Sequence, residues 1–230
     1  LGITCDHIDG SGWPFGAEYL EGEERSQIAV IAVKKLTGPI DYEISEFEIF
    51  KEADPAVSSP FPGRTMELLS LYLVPDPLDS MDQVIDLAEI KVNGSFRVSV
   101  PPGKHALYGL VNIHGFMEVI NGAPGATGPV LNHYNDEAVR RYLKTMSDTI
   151  ESKTGPLSDH VRALFTDSME LEGANWSADM MDEFRKRRGY DIFPYLPFIL
   201  FKTGAMGNVT DFKYGVALSL QIENMIRRMR

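Results

Sequence analysis

Apolar residues recur along the chain in two different rhythms. Between about Ser26 and Val119 they fall in short β-type runs, Ile28 to Val33, Leu68 to Val74, Ser95 to Val100 and Ala106 to Asn112. Turn signals separate these runs: Gly38-Pro39, Pro75-Asp76-Pro77, Asn93-Gly94 and Pro101-Pro102-Gly103. Asn93-Gly94 supplies the two positive φ angles of a type I′ turn, so Val92 to Ser95 predicts a hairpin. The block of about ninety residues is expected to be all β and sandwich-like.

On either side the rhythm is that of strands alternating with helices. Residues 1–8 predict a strand followed by a loop over 9–16. Beyond the glycine-rich stretch Asn121 to Pro129, residues Val139, Tyr142, Leu143, Met146 and Ile150 line one face of a helix from about Asp136 to Ser152. Asp136 and Glu137 suit the dipole of its first turn. Val161 to Thr166 predicts a buried strand and Asp167 to Asn175 the loop after it. Ser177 is the expected cap of a helix ending at Arg188, with Gly189 as its stop. Pro194 and Pro197 precede a last helix expected from near Thr210. The pattern predicts an α/β fold: a partial (β/α)8-type barrel interrupted by an inserted all-β domain. Its segments are 1–25 and 120–230 for the barrel part and 26–119 for the insert.

Charge narrows the function. With 33 acidic against 22 basic residues the net charge is −11, and such a surface repels a polyanion, so no nucleic-acid partner is expected. The longest uncharged apolar run, Phe193 to Phe201, holds two prolines and falls short of the ~20 residues a membrane span needs. A lone cysteine, Cys5, rules out a disulfide within the chain and reads as inert core. The chain opens on a strand-like run without a start methionine or leader and closes inside an apparent helix, so a fragment of a longer protein is expected.

The densest chemistry lies in Thr166-Asp167-Ser168-Met169-Glu170-Leu171-Glu172-Gly173-Ala174-Asn175-Trp176. Three carboxylates follow an apolar strand, and in a barrel the carboxyl ends of strands form the active face. Glycoside hydrolysis needs two carboxyl groups, one protonated and one ionised. An adjacent tryptophan can stack on a sugar and raise an acid's pKa by excluding water. The plain alternative is an acidic turn before a capped helix. The first loop, Asp6-His7-Ile8-Asp9-Gly10-Ser11-Gly12-Trp13-Pro14-Phe15-Gly16, joins polar groups, glycines and aromatics at another strand end, or is a packed turn around a buried His7.

Other features carry less. Asn121 to Pro129 lacks the Gly-Lys-Ser/Thr of a phosphate loop, and Pro129 removes a donor, so a flexible connector is expected. His114 and His133 have no metal-ligand partner at helical spacing. Arg185 to Arg188 read as a solvated helix end. Glycosylation triplets at Asn93, Asn175 and Asn208 read as accidental, although consistent with export.

The run Gly10-Ser11-Gly12-Trp13-Pro14-Phe15-Gly16 resembles a segment of glycoside hydrolase family 106, the α-L-rhamnosidases and related large glycosidases. Val100 to Lys104, Ala123 to His133, Asp167 to Trp176, Phe184 to Asp191 and Pro194 to Pro197 follow in the family's order. The resemblance implies an exported, periplasmic or extracellular enzyme with an interrupted (β/α)8 barrel. It also implies calcium-dependent, inverting hydrolysis of α-L-rhamnosides. By position Glu170 matches the general acid and Asp167 a supporting acid, while the general base is expected beyond Arg230. Candidate carbohydrate contacts are His7, Asp9, Trp13, His133, Glu172 and Trp176; the metal ligands stay unassigned. The chain departs from the family at Asn132-His133, where Asp-His is usual, and at Lys104-His105, where a tryptophan is expected. A non-catalytic carbohydrate-binding module, using Trp13 and Trp176 as stacking surfaces, is the second reading.

Overall fold

The computed structural model describes residues 5–8, 14–54, 64–76, 78, 81–87, 91–165 and 173–196. Its strands are β1 (Cys5–Ile8), β2 (Gln27–Ser45), β3 (Thr65–Pro75), β4 (Ile85–Asp86), β5 (Lys91–Val92), β6 (Ser95–His114) and β7 (Val161–Phe165). The helices are α1 (Glu46–Ala53), α2 (Asp136–Thr154) and α3 (Met180–Arg188). The chain divides into two compact units, one formed by Leu1–Ile28, Phe61–Thr65 and His114–Ser177, the other by Ala29–Pro60, Met66–Ile113 and Ala178–Arg230.

The second unit is built on a five-stranded sheet in the order β2-β6-β3-β4, with β5 paired to β6. Pairs β3/β4 and β5/β6 are antiparallel. So is β2/β6: Ser99 donates to Asp41 and Arg97 to Glu43, so residue numbers fall on one strand as they rise on the other. Two expected turns lie inside these long strands. Gly38-Pro39 and Pro101-Pro102-Gly103 face each other across the pair, and a Cβ on Gly38 would stand 1.9 Å from the Pro101 carbonyl oxygen. Backbones this close need glycine, and both strands continue through their prolines instead of ending at them. The Asn93-Gly94 hairpin forms as expected, with φ of 52° and 81° and Val92 opposite Ser95. Tyr72, Val74, Leu78, Ala106 and Tyr108 pack into one core cluster.

Helix α1 lies within the block expected to be all β. Ser45 caps it and Glu48 reaches back to the Ser45 amide, a capping box whose Ser-x-x-Glu signature stands in the sequence. Helix α3 starts at Met180, three residues past the expected cap, and ends as expected at Gly189 in the left-handed region (φ 80°).

In the first unit, β1 and β7 form a two-stranded parallel pair. Phe15, Ala17, Leu20 and Leu131 bury the Ala138/Tyr142 face of α2, while Leu143, expected on that face, is exposed. Asn135 caps this helix through the Ala138 amide.

The (β/α)8-type barrel is overturned. The larger sheet is antiparallel, and among the described residues the parallel pairing is confined to β1/β7. The alternation that predicted half a barrel amounts to one return through α2 from the β block to β7. The sandwich-like expectation gives way likewise to one sheet, because segments read as separate strands, Ser95 to Val100 and Ala106 to Asn112, are a single β6. The helix expected near Thr210 lies outside the described residues. Among the described residues no helix is long and apolar enough to cross a membrane.

Candidate active site

Two short strands position the chemistry-bearing segments. In β1/β7, Asp6 pairs with Ala163, His7 with Leu164 and Ile8 with Phe165, after a register shift between Cys5 and Asp6. The shift brings the carboxyl ends of both strands level. Parallel neighbours lie about 4.8 Å apart, so the chain leaves Ile8 toward Asp9 and Phe165 toward Thr166 from adjacent points on one rim. Asp9, Trp13, Asp167, Glu170 and Glu172 lie outside the described residues, and of His7 the backbone in β1 is described.

The chain returns from the acidic segment at Gly173, and four successive residues are held there. Gly173 has φ +86°, and its Cα lies so near the Ile28 side chain that a Cβ would meet Ile28 Cδ1 at 3.2 Å. The Tyr134 hydroxyl donates to the Ala174 carbonyl at 3.5 Å. The Asn175 amide donates to the Gln27 carbonyl at 3.2 Å. Trp176 forms an antiparallel bridge with Gln27 and is 6% exposed.

Behind this return lies a polar hub. The Gln27 amide donates to the Glu23 carboxylate at 2.6 Å, and the Glu23 carbonyl accepts from the side chains of Asn132 (3.0 Å) and Asn135 (3.4 Å). The Asn132 carbonyl oxygen accepts from the Tyr134 amide at 3.1 Å, so this buried amide uses both of its ends. Asp, the usual residue at this position in the resemblance, has no donor for the Glu23 carbonyl. Arg141 bridges to Glu24 at 2.8 Å and lies 5.3 Å over the Tyr19 ring.

His133 packs edge-on against Phe15 (4.6 Å), which stacks on Tyr142 (5.8 Å). Its ring is thus part of the wall of the core cluster. Trp176, expected at the carbohydrate, is buried in the same unit and presents no open stacking face. That removes one of the two stacking surfaces a binding module would rely on.

The glycine-rich stretch expected to be a flexible connector is folded down. The Glu18 carboxylate accepts from the Gly125 amide at 3.2 Å and from the Thr127 hydroxyl, and these bonds hold its pKa below the ordinary carboxylate value, the Thr127 contact most of all. Bridges Gly16/Val130 and Glu118/Pro129 tie its end. Glu18, Glu23 and Gln27 carry no sequence signal, because Thr127, Asn132, Asn135 and Asn175, which they bind, lie more than a hundred residues away. Asn135 was legible as a cap directly before an acidic first turn.

Among the described residues no group of three or more His, Cys, Asp or Glu converges to hold a metal. The calcium implied by the resemblance therefore has no carboxylate-rich cluster to hold it among those residues.

A family model described as alpha-L-rhamnosidase, glycoside hydrolase family 106, matches residues 72–211. The chain belongs to this family. The matched region holds the acidic segment, the Asn132-His133 pair and the hub residues Tyr134 and Asn135; the Gly10–Gly16 run precedes it. Among solved structures, a rhamnosidase from Novosphingobium sp. PP1Y is similar at 32% identity and a TM-score of 0.41, over 51% of this chain and 12% of that one. The chain therefore spans about an eighth of that relative's length. No curated protein matches.

Proposed function

We propose that the chain carries part of the active site of an inverting glycosidase acting on α-L-rhamnosides or similar linkages in exported polysaccharide breakdown. The supporting observation is the level parallel pairing of β1 and β7, which starts both chemistry-bearing segments from one rim. Family membership supplies the reaction class.

In this reading Glu170 donates a proton to the departing glycosidic oxygen as the bond to the anomeric carbon breaks. A second carboxylate takes a proton from water attacking the opposite face, which requires ~6.5–9.5 Å between the two carboxyl groups. Asp167 supports the charge state of Glu170, since a nearby ionised carboxylate favours the protonated acid. His7, Asp9, Trp13 and Glu172 are the proposed carbohydrate contacts. His133, whose ring packs edge-on against Phe15, is a further proposed contact.

The test is Glu170→Gln in the full-length protein. General-acid assistance typically contributes ~10²–10⁴-fold, so an alkyl α-L-rhamnoside should lose that much in kcat. An activated aryl rhamnoside, whose leaving group departs without protonation, should lose far less. Equal losses on both substrates would refute the assignment.

A further inference from the structure

We infer that Gln27, tied to Glu23, is a positioning residue for the acid-bearing segment. The inference rests on the reading of Glu170 as general acid and names the group that fixes where this segment ends.

Gln27 is 1% exposed, and it touches the returning chain with its backbone and the hub with its side chain. Its carbonyl accepts from Asn175, its backbone bridges Trp176, and its amide donates at 2.6 Å to Glu23. Glu23 is held in turn by Asn132 and Asn135, the latter the cap of α2. Tyr134, between those two asparagines, reaches the Ala174 carbonyl. Hydrogen bonds thus run from the start of α2 through Glu23 and Gln27 to Asn175, five residues beyond Glu170. At the other end the segment begins at Phe165, paired in β7 with Ile8. Both described flanks of the acid-bearing segment are thus held, at Phe165 and at Asn175. Release of one flank lets the acid drift, and displacement by ~1 Å costs on the order of 10²-fold in rate.

The variants are Gln27→Leu, which keeps the side-chain bulk and removes the amide, Tyr134→Phe, which removes one hydroxyl, and Glu23→Gln, which keeps an acceptor for Gln27. Each is made in the full-length protein beside Glu170→Gln, with two readouts: amide hydrogen exchange at Asn175, and kcat on the alkyl and aryl rhamnosides. Gln27→Leu should speed exchange at Asn175 and lower kcat on the alkyl substrate ~10²-fold but on the aryl substrate less than ~10-fold. Tyr134→Phe should act in the same direction more weakly, and Glu23→Gln should stay near wild type. If Gln27→Leu does not fold, the Tyr134→Phe pattern decides. Unchanged exchange at Asn175 would overturn the clamp. Faster exchange with equal losses on both substrates would overturn its link to proton donation. If Glu170→Gln also shows equal losses, the acid assignment has failed, and the positioning role falls with it.

Discussion

Asn132→Asp replaces one atom and reverses the hydrogen-bonding character of one end of a buried side chain. The native amide donates to the Glu23 carbonyl at 3.0 Å and accepts from the Tyr134 amide at 3.1 Å, at 2% exposure. An ionised carboxylate keeps the second bond but sets an oxygen against the carbonyl oxygen of Glu23. The lost bond is worth about 1 kcal/mol, and a buried charged group facing an acceptor adds about 1–3. The expected destabilisation at neutral pH is about 2–4 kcal/mol, or roughly 5–15 °C in Tm for a chain of this size. Protonation restores the donor, so the folded state favours the protonated form and raises the introduced group's pKa by roughly 1.5–3 units above ~3.9. The sign follows from proton binding: with the folded value above the unfolded one, the native state binds more protons between the two, and stability falls as pH rises through that window. Thermal melts of variant and wild type at matched pH values from 4 to 8 check this. The gap should nearly close by about pH 4 and be fully open above about pH 7. A gap that is absent, or independent of pH, would refute the account of why Asn stands where the family usually has Asp.

Gly38→Ala places a Cβ about 2 Å from the Pro101 carbonyl oxygen and should lower Tm by roughly 6–12 °C, the equivalent of about 3 kcal/mol of overpacking, by calorimetry. Ser45→Ala removes the cap of α1 and should cost about 0.5–2 kcal/mol in a denaturant titration, with faster exchange at the Glu48 amide. Glu18 has a folded pKa below its ordinary value of 4.5, so its hold on Gly125 and Thr127 is complete above 4.5 and is lost as pH falls through the lower folded value. Amide exchange at Gly125, corrected for intrinsic rates, should therefore quicken only on acidification, and Glu18→Gln should flatten that dependence.

Local signals were legible where the partner lies close in sequence. The Asn93-Gly94 turn, the Val161–Phe165 strand, the α2 stripe and the Gly189 stop each follow from a few adjacent residues. The parallel β1/β7 pair was legible because both are short apolar runs ahead of polar loops. The barrel expectation failed, because alternation of strand and helix over so few elements fits one return as well as half a closed sheet. The prolines misled for a related reason: Gly38-Pro39 reads as a turn until Pro101-Pro102 is known to face it. The hub around Glu23 and the Glu18 clasp join residues more than a hundred positions apart, a distance over which composition and periodicity carry no information.

The most direct measurement is a crystal structure of the full-length protein with a bound α-L-rhamnoside analogue. The account predicts the sugar over the rim formed by Ile8 and Phe165, with Glu170 within about 3 Å of the glycosidic oxygen and Trp176 still buried against Gln27. A sugar bound away from that rim, or with Glu170 remote from the glycosidic oxygen, would contradict it.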